Sequence, residues 1–213
     1  MKSVLQIKDV TKTFGNSVIL KNVSLEVMPG QIVGIIGRNG SGKSLLFKAI
    51  CNLINIDSGE ILIEGNLHDS DGALDGVGAL IEVPAFLPNI SGLSNLKLLA
   101  SLRNRISINH IKETMSLVGL NPEDKQKYKK YSLGAKQKLS IAAAIMENPD
   151  ILILDEPFNN LDTQSVVNIR RLLKQLNTEK KATIVLCSHN PEDYSLLCSR
   201  IFKLEDGFLE AVK

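Results

Sequence analysis

The sequence predicts an α/β fold: a largely parallel sheet, an antiparallel β portion at the N-terminus and an inserted helical lobe. Short apolar runs at 32–36, 77–83, 151–154, 183–186 and 201–204 are nearly continuous rather than alternating, as in strands covered on both faces. Helical patterns separate several of these runs, the alternation that parallel crossovers require. From Ser91 to Met146 no strand run occurs. Leu93, Leu96, Leu99, Ala100 and Leu102, then Ile108, Ile111, Met115, Leu117 and Val118, fall near helical spacing instead.

The elements follow in order. Residues 4–14 and 17–27 read as strands joined at Gly15-Asn16, a hairpin signal. Met28-Pro29-Gly30 turns the chain into the run at 32–36, and a helix opens at Leu45. Asp57-Ser58-Gly59 leads into a short strand at 60–64, with a further turn at Gly65-Asn66. Asn148-Pro149-Asp150 closes the helical stretch before the run at 151–154. Residues 164–176 read as a helix, apolar at Val166, Val167, Ile169, Leu172, Leu173 and Leu176, and Asp206-Gly207 ends the last run.

The chain has 213 residues and is 44% hydrophobic, enough for one sizeable core or a core with a lobe. Its formal net charge of +2 argues against a nucleic-acid-coating surface, so no nucleic-acid partner is expected. No apolar run approaches the roughly 18–20 residues that span a bilayer. The first nine residues mix charges into a strand-like pattern without the apolar stretch of a signal peptide. Cys51, Cys187 and Cys198 have no CxxC spacing and are expected to be reduced thiols of a cytosolic protein.

The strongest chemical signal is Gly37-Arg38-Asn39-Gly40-Ser41-Gly42-Lys43-Ser44, placed between an apolar strand and a helix. Glycines let the backbone curl so that N–H groups point inward, and a helix N-terminus adds positive potential. In such a P-loop Lys43 reaches the β- and γ-phosphates of a nucleotide and the Ser44 hydroxyl meets Mg²⁺. The run at 151–154 ends in Asp155-Glu156-Pro157. A strand end delivers carboxylates to the crevice where the P-loop opens. Asp155 is the expected Mg²⁺ residue, and Glu156 the expected base for an attacking water. The run at 183–186 leads to Ser188-His189 at the same edge, where His189 can reach a γ-phosphate.

With these motifs in order, the chain resembles the ATP-binding subunit of an ABC transporter over essentially its whole length. That resemblance implies a P-loop NTPase (RecA-like) core, with 1–84 and 147–213 as nucleotide-binding core and 85–146 as helical signature subdomain of a single 1–213 domain. It puts Phe14 in the place of the adenine-stacking aromatic, Asn160-Leu161-Asp162 in the D-loop and His189 at the switch histidine. Tyr131-Ser132-Leu133-Gly134-Ala135 falls at the LSGGQ signature and departs from it: Ser132 and Gly134 are kept, Leu133 replaces glycine and Ala135 replaces glutamine. A serine N-cap opening a helix survives, and with it free N–H groups suited to phosphate. Glu82 stands where the family's Q-loop carries glutamine, and its carboxylate can also reach Mg²⁺. Both departures together resemble the subgroup serving bacitracin and lantibiotic export or immunity.

The resemblance further implies ATP and Mg²⁺ as cofactors, and a second ATPase subunit, expected to be a copy of this chain. It implies an integral membrane permease as partner and a cytoplasmic place on the inner face of the membrane through it. Two other readings stand beside it: a soluble ABC-type ATPase not coupled to transport, and a nucleotide-dependent regulatory module.

Overall fold

The computed structural model describes residues 2–67, 74–82 and 85–212. At the N-terminus β1 (Leu5–Phe14) and β2 (Ser17–Val27) pair antiparallel around the expected turn, from Leu5↔Val27 to Phe14↔Ser17. Their inward side chains, Leu5, Ile7, Val10, Leu20, Val23, Leu25 and Val27, are buried. The main-sheet strand β3 (Ile32–Ile36) comes next in the chain. It is followed by β4 (Ser58–Ile63) and β5 (Asn66–Leu67), which complete a first sheet of order β2-β1-β4-β5.

The second sheet contains β3, β6 (Val77–Leu80), β7 (Ile151–Asp155), β8 (Thr183–Cys187), β9 (Arg200–Glu205) and β10 (Phe208–Ala211). Its order is β10-β9-β3-β8-β7-β6, parallel throughout except where β10 returns along β9. The near-continuous apolar runs have a direct explanation, because each face of these strands feeds a different core. Leu152, Leu154, Ile184 and Leu186 join the core beneath the helices. Ile151, Ile153, Val185, Val33 and Ile35 join a second core shared with the antiparallel sheet.

Six α-helices complete the fold among the described residues: α1 (Lys43–Ile50), α2 (Gly92–Ser101), α3 (Ile108–Leu117), α4 (Leu133–Ile145), α5 (Thr163–Lys180) and α6 (Pro191–Leu197). Sequence-local caps start five of them. Ser91, Ser107, Ser132 and Asp162 each accept a hydrogen bond from the backbone N–H three residues on, and Asn190 from the N–H two residues on. No described helix is long and apolar enough to cross a membrane.

The structure differs from the sequence reading in several places. The expected strand at 77–83 ends at Leu80, because Glu82 turns into the left-handed region at φ +58°; Val83 lies outside the described residues. In the helical stretch Leu96, Ala100, Ile111, Met115 and Val118 are buried, whereas Leu102, Ile108 and Leu117 are exposed. The helix read at 164–176 runs to Lys180 and stops at Lys181, whose φ is +60°. The short elements β5, β10 and α6 are additions; α6 has seven residues, too few for a periodic signal.

Phe47 on α1 is fully buried, whereas Leu102 is 79% exposed. Phe47→Ala should lower stability by about 3–5 kcal/mol and Leu102→Ala by less than about 0.5 kcal/mol in urea unfolding. Equal costs would contradict this division between core and surface.

Candidate active site

Strands β3, β8 and β7 are parallel neighbours, so their C-terminal ends open on one edge of the sheet. The first delivers the loop 37–42, the second Ser188 and His189, and the third Asp155 and Glu156. Apolar residues are consumed within the strands; polar ones begin where the sheet stops.

Loop 37–42 leads into α1 through Gly42, which takes φ +103° at the N-cap, a conformation side chains oppose. α1 therefore starts without the side-chain cap that the other five α-helices have. Lys43 is buried, and its ammonium donates to the carbonyls of Gly37 at 2.8 Å and Arg38 at 3.0 Å. Ser41 Oγ is buried with no hydrogen-bond partner among the described residues. Phe14, Lys43, Ser44, Asp155, Glu156 and His189 line a cavity of about 470 Å³, with Asn39, Gly40 and Gly42 as its loop wall. Arg38 faces an adjoining cavity, which it shares with Lys21 and Glu205. Phe14 is half exposed at the end of β1, and the Lys12 ammonium lies 5.4 Å from its ring centre.

Glu156 occupies the left-handed region at φ +50°, a strained backbone for a side-chain-bearing residue and one typical of functional sites. Its N–H donates to the Cys187 carbonyl at 3.1 Å. His189 holds the carboxylate from two directions: its Nε2 lies 3.1 Å from Oε1, and its backbone N–H donates to Oε2 at 3.2 Å. Burial pushes the Glu156 carboxyl above the ordinary glutamate value, against the opposing pull of His189, and the neighbouring Asp155 charge adds to the rise. A raised carboxyl is better suited to accept a proton near neutral pH. The Cys187 thiol donates to Asp155 Oδ1 at 2.7 Å, and burial together with Asp155 pushes that thiol upward.

Sequence reasoning missed the support beneath His189. Ser188 Oγ donates to Asp193 Oδ2 and accepts from the Asn190 N–H at 3.1 Å. Asp193, with a side chain 1% exposed, receives Arg170 Nε at 2.7 Å, and Arg170 Nη1 also reaches Glu192 at 2.9 Å. The Tyr194 hydroxyl accepts from the Ser188 N–H at 2.7 Å and lies 3.1 Å from the Ile35 carbonyl of β3. One signal was available: Arg170 shares the i, i+3, i+4, i+7 stripe of α5 with Val166, Ile169 and Leu173, and a charge on a buried stripe needs a buried partner.

The remaining expected site residues do not line the cavity within this one chain. Ser132 is exposed and caps α4 through the Ala135 N–H at 3.1 Å, with Gly134 in the first turn. Asp162 caps α5, and hydrogen bonds from Ser165 hold its carboxyl below the usual aspartate value. Glu82 is exposed and pairs with Lys48 of α1 at 2.6 Å.

The ABC transporter family matches residues 20–159. An uncharacterised ABC transporter ATP-binding protein of Bacillus subtilis (strain 168), YybJ, is 39% identical over 210 residues, covering 97% of this chain and 95% of that protein. The bacitracin transport ATP-binding protein BcrA of Enterococcus faecalis is 36% identical over 214 residues, covering 98% of this chain and 68% of that protein. The lantibiotic transport ATP-binding protein SrtF of Streptococcus pyogenes is 35% identical over 186 residues, covering 87% of this chain and 80% of that protein. Among solved structures, a dimeric ATP-binding cassette in a post-hydrolysis state, bound to ADP and Pi, superposes with a TM-score of 0.88 at 28% identity, covering 98% of this chain and 99% of that one.

Removing one side of the buried pair beneath His189 strands the other. Asp193→Ala should cost about 3–5 kcal/mol in chemical denaturation. A loss below about 1 kcal/mol would mean that Arg170 finds equivalent partners without it.

Proposed function

The chain belongs to the ABC transporter ATP-binding family and is an ATPase, and from that premise we propose that it energises a separate membrane permease that exports antimicrobial peptides or related drugs. The observation that carries the catalytic part is the convergence of Lys43, Ser44, Asp155, Glu156 and His189 on one cavity below an uncapped helix start. Such a helix start favours a phosphate through its free N–H groups and dipole.

In this reading Phe14 stacks on the adenine, loop 37–42 wraps the phosphates, and Lys43 exchanges its two loop carbonyls for β- and γ-phosphate oxygens. Glu156 orients a water and takes its proton as the oxygen attacks the γ-phosphorus. The bond from that phosphorus to the bridging oxygen breaks, and ADP carries away the electron pair. His189 anchors the Glu156 carboxylate and donates to the γ-phosphate. Hard oxygen donors suit Mg²⁺, and Ser44 with Asp155 supplies a hydroxyl and a carboxylate on one wall of the cavity. Bound there, Mg²⁺ would neutralise charge on the phosphates. Glu82, which pairs with Lys48 through Oε1, is a third candidate for that set.

Ser132, Gly134 and Asp162 receive their roles from a second copy. The N-terminus of α4 in one copy would close over the γ-phosphate held by residues 37–44 of the other, so that two ATP molecules join the pair. Closure is then a population shift driven by contacts made only in the closed state. The dimeric cassette among the structural relatives and the names of BcrA and SrtF support this reading and the peptide-antibiotic class of cargo. The cytoplasmic face of the membrane is the place it implies.

Glu156→Gln should retain ATP binding, slow phosphate release by about 10²–10⁴-fold, and accumulate an ATP-dependent dimer on size exclusion. Near-normal turnover would refute the base assignment. Lys43→Ala should instead weaken binding of a fluorescent ATP analogue; unchanged affinity would rule out the phosphate role of Lys43.

A further inference from the structure

We propose that Gln137 is a positioning residue that ties the Glu156 segment of one nucleotide site to the α4 N-terminus serving the other. The inference rests on the two-copy reading above and goes beyond it by naming the side chain that links the sites.

Gln137 lies in the second turn of α4. Both hydrogens of its amide are committed: Nε2 donates to the Glu156 carbonyl at 3.0 Å and to the Pro157 carbonyl at 3.1 Å. Glu156 is the strained residue of the site, and its backbone is fixed on both sides, by its own N–H to Cys187 and by Gln137 at its carbonyl. A second contact binds the same two segments. A Cβ on Gly134 would lie 2.9 Å from the Asn160 carbonyl, so only a glycine lets the first turn of α4 press on residues 156–160 this closely. Ser132, which caps α4 through the Ala135 N–H, is five residues before Gln137. On a helix rising 1.5 Å per residue that is about 7.5 Å of stiff rod.

The geometry has a consequence for two copies. Within one chain, the α4 start and Glu156 belong to different ATP molecules. A γ-phosphate that draws on the α4 start of one copy therefore pulls, through Gln137 and the Gly134 contact, on the backbone of that copy's Glu156, which works at the other site. Misplacement of a reacting group by about 1 Å costs up to a hundredfold in rate. A small shift transmitted this way is enough to make one site's chemistry depend on occupancy of the other.

The test compares the wild-type chain with Gln137→Met and Gln137→Glu. Both keep the side chain's length and remove its donors, so a folding defect in one leaves the other to decide. Steady-state ATPase rates against ATP concentration should show kcat lower by about ten- to a hundredfold, KM within about twofold, and a Hill coefficient falling from above 1 to about 1. Unchanged kcat and Hill coefficient in both variants would overturn the proposal. So would a loss of kcat with the Hill coefficient retained, which would make Gln137 a support for Glu156 alone. A wild-type Hill coefficient of about 1 would overturn it as well, because no coupling would exist for Gln137 to carry. ATP-driven pairing of the Glu156→Gln chain, measured in parallel by light scattering, reports on the two-copy reading separately. Pairing without cooperativity sinks only the Gln137 proposal, whereas absence of pairing sinks the reading beneath it.

Discussion

Everything in the site depends on burying both faces of three neighbouring parallel strands. β3, β8 and β7 give alternate side chains to two cores, leaving no solvated face on which to carry chemistry. Polar groups are admitted only where the strands end, and because the strands are parallel those ends coincide. The loop at 37–42, Asp155-Glu156 and Ser188-His189 are thus brought together by packing, although 145 residues of sequence, 43–187, separate the first from the last.

At that edge the protein holds charge in a partly buried place and fixes it with specific partners. Glu156 is raised by burial and restrained by His189, while His189 follows a serine locked to Asp193 and Tyr194, with Arg170 paired to Asp193 behind it. The same tyrosine reaches the carbonyl of Ile35, in the strand that leads to the phosphate loop. A disturbance of the buried pair therefore reaches Glu156 and the loop at 37–42 by a few short contacts. Buried ion pairs contribute little net stability but are costly to break, and this one holds three separate elements in one arrangement.

The fold was legible where local chemistry and burial agree. Gly15-Asn16, the apolar runs and the serine cap at 132 are strictly local signals, and the structure places the corresponding elements within a few residues of the expected limits. Three kinds of feature escaped. α6 and β10 are too short for periodicity, and the exposed leucines of the helical lobe are apolar without being core. Contacts between elements distant in sequence, Gln137 with Glu156 or Arg170 with Asp193, have no spacing to betray them. At the site, Lys43, Ser44, Asp155, Glu156 and His189 were read directly from strand–loop motifs, whereas Phe14 came from family resemblance. Ser132, Gly134 and Asp162 came from family resemblance, and within one chain they face elsewhere because the role proposed for them belongs to the partner copy.

The central claim is that ATP is cleaved at a seam made by residues 37–44 of one copy and the α4 start of another. The structure of the Glu156→Gln chain loaded with ATP and Mg²⁺ tests it most directly. The account requires Ser132 of each copy within hydrogen-bond reach of the γ-phosphate held by Lys43 and Ser44 of its partner, at about 3 Å. A nucleotide-loaded structure in which Ser132 faces solvent, far from either triphosphate, would contradict it.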